Sequence, residues 1–599
     1  MPRTYATRHE VPEVKSRNEP KGKKTSARDQ APKQEDGRRE TVEAITVAFI
    51  LMFLVRGFEA EAFVIPTGSM APTLRGLHKE VPCPQCGHVY AVNASEESVP
   101  GSPVYTGICV NCRFQARIDE MPTFKGDRIL VEKAPYELSF LPGASEPRRW
   151  DVVVFHYPEE PATNYIKRLI GLPGDTMRIW QGDLYVKPTG AEAFQIARKP
   201  LRHQRAMQIL VNDDRKRPRD LAKMPEWTRW QSTTPEGWTE DVVGHYVARS
   251  TASTNAAGWN ELRYHHIVPD LEQWQEIREA LPMRRPARPI LVTDFYSYNT
   301  NLTIHNSRLI PEVPGEHYLA RYDQDAAWLQ PHWVGDLTIA ATLKTTATAG
   351  SVRLELVEGG VANRCEIDLA TGVATLFHGD TTLGRAETSI RAAGTYQVEF
   401  ANVDNKLSLV VDEQTPFGDG LTYDDEDQGD GKAIRHPLPT TADLAPAAIA
   451  TRGAAVEAGD LVIKRDIYYT QRPGSPDYGE IWDRDPPRNP IELADWLANP
   501  ENLVGLARLQ PTDYPIGEGR FMMMGDNSPR SRDSRAWQNN DSAWDPDNRA
   551  SWEVPRSLLT GKAFFVYWPH GKPFGPDIRL SRDFRIPFRP YWERMTWIR

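Results

Sequence analysis

The sequence predicts a mainly β protein, with a β core built from separated stretches of chain and a large antiparallel β-sandwich inserted into it. Three observations predict this. From about residue 225 to 470, short alternating segments recur between Gly, Asn and Asp turns. Apolar strand-like runs flank that region on both sides, at 63–65, 124–133, 148–158, 165–170 and 554–569. Helical patterns are scarce, confined to an apolar run at 44–55, a basic helical or extended segment at 192–224 and a helix-like run at 491–509. The 599 residues suffice for several domains, and a net charge of −9 argues against nucleic acid as a partner.

Taken in order, residues 1–40 are polar, with eleven Lys or Arg against seven Asp or Glu, and are expected to be a disordered cytoplasmic tail. The run AITVAFILMFLV (44–55) extends to an eighteen-residue segment at 41–58, roughly 27 Å of helix, and is expected to be a transmembrane anchor. Arg38 and Arg39 on its flank orient the N-terminus to the cytoplasm and everything after residue 58 to the outside. A core helix is one alternative. A cleaved signal peptide is another, since Ala60-Glu61-Ala62 has the A-x-A form.

Residues 59–80 contain AFVIPTGSMAPTL (62–74), where an apolar strand meets a turn and Ser69 follows the flexible Gly68. Residues 81–120 carry CPQCG (Cys83, Cys86) and CVNC (Cys109, Cys112), a C-x2-C-x22-C-x2-C pattern expected to form a zinc-ribbon-like insertion. Each pair makes a knuckle, and four thiolates complete a closed structural zinc site with no open position for catalysis. Two disulfides are the alternative in an oxidising location. His78 and His88 are read as bystanders to that site, and Cys365, in a strand-like run, as a buried thiol.

Residues 121–190 hold NYIKRLIGLPGD (164–175). As a strand, 165–170 places Tyr165, Lys167 and Leu169 on one face, an apolar setting that would lower the amine's pKa and suit it to act as a base. A connector (191–224), the sandwich (225–472) and a Pro-rich connector (473–515) follow. The acidic stretch DDEDQGDG (424–431) is read as a loose loop. The last segment, 516–599, opens with RFMMMGDNSPRSRDSRAW (520–537), an apolar run leading into a polar loop where Asp533 and Arg535 can pair.

In this order, IPTGSMAPTL, YIKRLIGLPGD and MGDNSPRSRDSR closely resemble the serine, lysine and last boxes of bacterial type I signal peptidases, with FKGDRILVEK and RRWDVVVFHYP similar to the strands between them. The resemblance covers about 200 residues, in several blocks. It implies that Ser69 is the nucleophile and Lys167 the general base. It also implies that the Ser69 N–H and the Thr67 hydroxyl form the oxyanion hole, that Ser531 orients the Lys167 amine, and that Asp533 and Arg535 brace the loop. Arg530 stands where the family usually has asparagine, and Pro529 also alters that loop. The inserted sandwich looks similar to concanavalin-like or laminin-G-like sandwiches.

None of the fourteen histidines lies in the three boxes, so a Ser-His-Asp triad has no support. The expected function is a serine–lysine endopeptidase, single-pass in the cytoplasmic membrane, acting on signal peptides of secreted preproteins beside the lipid bilayer and the secretion translocon. The resemblance implies small residues at the first and third positions before the scissile bond, with Ile65 and Tyr165 as pocket walls and no cofactor for the chemistry. Two alternatives stay open. One is another Ser-Lys peptidase such as a self-cleaving repressor, and the other a non-catalytic envelope binding protein.

Overall fold

The computed structural model describes residues 41–50, 60–98, 102–133, 136, 146–249, 258–303, 307–308, 321–322, 330–391, 393–423, 436–473, 477, 487, 490–537, 550–573 and 588–599. The expected tail, residues 51–58 of the expected anchor and the acidic stretch 424–431 lie outside them. Residues 41–50 are helical. Among the described residues no helix is long and apolar enough to cross a membrane, so the expected span at 41–58 is not seen as one.

From Phe58 onward the chain forms one compact unit. A seven-stranded antiparallel sheet holds the segments that the three boxes come from. Its order is Ala60–Val64, Arg128–Glu132, Leu559–Trp568, Val152–Tyr157, Glu160–Gly171, Arg520–Met524 and Val554–Pro555. Period-two alternation sorts its side chains onto two apolar faces. Val152 and Val154 pack with Ile65, Met70, Ile129 and Val566, whereas Val153 and Phe155 pack with Leu169, Phe521 and Met523. Phe521 and Met523 face one layer while Met522 and Met524 face another with Ile170 and Met177, which is why 521–524 are apolar without interruption. Strands Thr176–Trp180, Asp183–Lys187, Gln195–Ile196 and Thr512–Pro515 make a smaller sheet, which the chain leaves to enter the insertion and rejoins after it.

The insertion contains two antiparallel sheets. One runs Trp238–Val242, His245–Ala248, Val456–Arg465, Leu337–Thr345, Gly394–Asn402, Lys406–Val411 and Leu421–Thr422, with Ile209–Asp213 also paired to Val456–Arg465. The other runs Trp230–Ser232, Asn260–Tyr264, Ala447–Arg452, Ser351–Glu358, Val361–Asp368, Val373–His378 and Thr381–Glu387. Alternate side chains of both turn inward, so Ile339, Phe400 and Ile463 share one core with Leu354, Cys365 and Ile449. These are mostly β-branched or large apolar residues, the kind that suits a pleated surface covered on one face.

Two expectations need correction here. The stretch ILVTDFYSYN (290–299), one of the short alternating segments expected to be strands of the sandwich, forms only one isolated bridge, Thr293 to Trp333, and a 3-10 turn at Ser297–Asn299. Asp294 limits the pairing: its N–H serves the single bridge by donating to the His332 carbonyl, its carboxylate accepts from the His332 backbone N–H at 3.0 Å and lies 2.8 Å from His332 Nδ1, and its carbonyl accepts from Arg465 and so is not free for a ladder. The inserted sheets also begin before residue 225. Helix Leu201–Met207 leads into strand Ile209–Asp213, which pairs with Val456–Arg465.

Candidate active site

Ser69 sits in the turn after edge strand Ala60–Val64, and Lys167 on strand Glu160–Gly171. The fold brings Lys167 Nζ to 2.8 Å from Ser69 Oγ, across a sequence separation of 98 residues. The same nitrogen donates to the Ile166 carbonyl at 2.9 Å. Lys167 is 5 % exposed, and its Nζ lies 5.2 Å from the centroid of the Tyr165 ring. Tyr165 in turn stacks on Tyr157 and packs near Phe155 and Trp537, so the amine has an aromatic wall on one side. Burial lowers the Lys167 pKa to about 8, against the opposing pull of Asp533 and Asp526.

Each of those two carboxylates has an arginine of its own. Asp533 takes a two-pronged contact from Arg535, at 2.9 and 2.7 Å, and accepts the Gly525 N–H at 3.0 Å. Asp526 takes another from Arg168, at 2.7 Å on both oxygens, and is also hydrogen-bonded by Thr73. Both pairs are buried. With each anion neutralised by a guanidinium, desolvation decides the charge state of the amine.

The loop after strand Arg520–Met524 clamps the serine turn. The Asn527 N–H donates to the Ser69 carbonyl at 3.0 Å, and its side-chain amide donates to the Gly68 carbonyl at 3.1 Å. Gly525 allows this approach, because a β-carbon there would lie 2.2 Å from Ser531 Oγ and 2.4 Å from the Ser69 carbonyl oxygen. Arg535 also reaches Thr470 and Ser528, which ties the loop to the end of the insertion. The Ser69 N–H and the Thr67 hydroxyl have no hydrogen-bond partner among the described residues, and Thr67 is exposed.

The structure departs from the sequence reading at two places. Ser531 Oγ is buried and hydrogen-bonded to nothing among the described residues, so the contact to Lys167 that the resemblance implies is not made; the amine uses the Ile166 carbonyl instead. Ile65 is 3 % exposed within an apolar cluster, so it does not form an open pocket wall, whereas the adjacent Val64 is exposed. Sequence reasoning misses Arg168, Asp526, Asn527 and Gly525. Arg168 adjoins Lys167, and the other three sit in the box that supplies Ser531, but a lone sequence does not show which polar residues of a loop turn inward.

The four cysteines converge. Their Sγ atoms all lie within 4.8 Å of one another, with Cys83 to Cys112 at 3.5 Å and Cys86 to Cys109 at 3.7 Å, and none is disulfide-bonded. Each knuckle closes with a backbone hydrogen bond, from Gly87 to the Cys83 carbonyl and from Arg113 to the Cys109 carbonyl, both 2.9 Å. Gly87 and Arg113 occupy the same left-handed region, at φ 68° and 62°. Thiolates around a tetrahedral zinc with bonds of about 2.3 Å stand roughly 3.7 Å apart, so the spacing fits such an ion. His88 is not part of the cluster, and neither is His78.

Comparison with known proteins bears on one part of this chain. Over 139 residues it is 34 % identical to signal peptidase I of Pseudomonas aeruginosa, covering 22 % of this chain and 31 % of that protein. Over 226 residues it is 27 % identical to signal peptidase I of Pseudomonas fluorescens, covering 36 % and 59 %. The chain thus spans from about a third to about three fifths of the length of these relatives. Among solved structures, the carbohydrate-binding module CBM66 from Bacillus subtilis aligns with 40 % of this chain and 96 % of its own, at 9 % identity and a TM-score of 0.20. Residues 113–239, with Lys167 among them, match the family model described as signal peptidase, peptidase S26.

Proposed function

We propose that this protein is a membrane-anchored serine endopeptidase that removes signal peptides from secreted preproteins through a Ser69–Lys167 dyad. The observation that carries the reading is the 2.8 Å contact between Lys167 Nζ and Ser69 Oγ at a site where burial lowers the amine's pKa to about 8. The match to signal peptidases supports the substrate class.

The neutral Lys167 amine takes the proton of Ser69 Oγ as that oxygen attacks the scissile carbonyl. The Ser69 N–H and the Thr67 hydroxyl receive the developing oxyanion, each contributing about 3 kcal/mol to the barrier lowering. Collapse breaks the C–N bond, and the Lys167 ammonium returns its proton to the leaving amine. Water, deprotonated by Lys167, then releases the acyl group from Ser69. Asp533 and Arg535 hold the loop that clamps the serine turn. Selection of small residues near the scissile bond falls to the surface beside Ser69, including the exposed Val64. In the same reading residues 41–58 anchor the chain with the peptidase outside the cytoplasmic membrane, near the translocon, and the four cysteines hold a structural zinc that takes no part in the chemistry.

The test is cleavage of a model preprotein in detergent micelles. Wild type should process it at a rate that rises with pH through about 8, as Lys167 loses its proton, and Ser69→Ala and Lys167→Ala should each abolish processing. Processing that survives Lys167→Ala defeats the mechanism. A wild type that binds preprotein or envelope components without cutting any would favour a binding protein on a peptidase-like core.

A further inference from the structure

His78 and Glu80 are two apart on strand His78–Pro82 and so share one face of it. His570, just past strand Leu559–Trp568, meets them there, and one ligand atom from each of the three lies within 4.8 Å of the others. Neither cysteine knuckle contributes to this group.

The ring nitrogens point to a ligand. His78 is fully buried, and its Nδ1 lies 2.7 Å from the Gly76 carbonyl. A carbonyl only accepts, so Nδ1 carries the hydrogen and Nε2 carries the lone pair, and Nε2 has no hydrogen-bond partner among the described residues. This is the arrangement in which a backbone carbonyl orients a metal-binding imidazole from its far side. His570 is 5 % exposed, and neither of its ring nitrogens is hydrogen-bonded among the described residues; Nε2 stands 3.3 Å from Glu80 Oε2 without hydrogen-bond geometry. Arg75 approaches the other Glu80 oxygen at 3.5 Å, and Oε2 is the one beside His570. Buried polar atoms ordinarily find partners, and three orphaned imidazole nitrogens beside one carboxylate form a donor set short of its acceptor.

We propose that His78, Glu80 and His570 bind a divalent transition-metal ion, zinc by its donor chemistry, at a site separate from the four cysteines. Two imidazoles and a carboxylate suit zinc and not magnesium or calcium, which take oxygen ligands. Around a tetrahedral ion with bonds of about 2.1 Å the ligand atoms stand roughly 3.4 Å apart; the three here lie within 4.8 Å of one another, so the side chains close on the ion as it binds. The site would clip the segment after the last core strand to the strand that follows the serine turn. That turn is close by: the Leu77 N–H donates to the Pro66 carbonyl at 3.2 Å, and a β-carbon on Gly76 would lie 2.3 Å from the Thr67 carbonyl carbon.

The experiment uses the full chain in detergent, stripped with chelator, reloaded with zinc and desalted. Elemental analysis should find one equivalent fewer in the His78→Gln, His570→Gln double variant than in wild type, whether or not the cysteines bind metal. Cobalt loading should give weak visible bands that the double variant loses, separate from any thiolate-to-cobalt charge transfer, which it keeps. Should the double variant fail to fold, zinc-edge X-ray absorption on wild type decides alone: imidazole scattering is expected, and a shell of sulfur only, or no bound zinc, overturns the proposal. Equal zinc in wild type and a folded double variant overturns it as well. Neither outcome depends on peptidase activity.

Discussion

At the scale of single residues, Lys167 is held in its buried site at a cost in stability. In the unfolded chain its amine titrates near the ordinary value of 10.5, and in the folded chain near 8. Between those values the unfolded state binds more protons, so stability rises with pH across that window, and the full penalty is present below it. The penalty is roughly 3 kcal/mol, at 1.36 kcal/mol per pKa unit. Lys167→Met should therefore raise unfolding free energy at pH 7 by about 2–3 kcal/mol, with a gain that shrinks toward pH 10, read by urea denaturation at both pH values. Equal stability of the two proteins at pH 7 would show that the site does not hold the amine under strain. Ser69 and Lys167 were legible in the sequence because each lies in a recognisable box. Ser531 was legible as a position but not in its contact, since the direction of one hydroxyl depends on the loop around it.

At the scale of elements, the loop at 525–535 and the lysine strand are joined by charge. Arg168 and Asp526, 358 residues apart, form a buried two-pronged pair that also engages the Trp150 carbonyl and Thr73. Removing one partner strands the other in a dry site, which costs about 3–5 kcal/mol. Arg168→Met or Asp526→Ala alone should destabilise by that amount in thermal or urea melts, and the double variant by less than the sum of the two. Strict additivity would mean the two do not act as a pair. The strands themselves were legible from period-two patterning, because an alternating run has one buried face wherever it pairs. The pairing order was not: strand Leu559–Trp568 sits between Arg128–Glu132 and Val152–Tyr157, and nothing local to any of the three announces its neighbours. The stretch at 290–299 misled for the opposite reason, since its apolar and aromatic residues pack without joining a ladder.

At the scale of the whole molecule, the insertion reaches the candidate site. Asn299 and Asn527 exchange two side-chain hydrogen bonds of 2.8 Å, and the Tyr298 ring packs so closely on Gly68 that a β-carbon there would lie 2.2 Å from it. Asn299→Leu should leave the buried Asn527 amide without that partner, at about 1–3 kcal/mol, and loosen its hold on the serine turn. In the preprotein assay kcat should fall at least about tenfold while KM changes little, the mark of lost alignment in the transition state; an unchanged kcat in a folded variant would make the contact merely structural. The insertion's repeated short strands were legible, but its contact with the serine turn was not, because Asn299 and Tyr298 belong to a 3-10 turn with no pattern of its own. The sheet order has a consequence for biosynthesis. The interior strand Leu559–Trp568 and the loop that clamps Ser69 are both made after nearly all the rest, so a nascent chain on the ribosome holds its serine and lysine without the framework that aligns them. Under the proposed dyad, latency during synthesis is then a property of the topology.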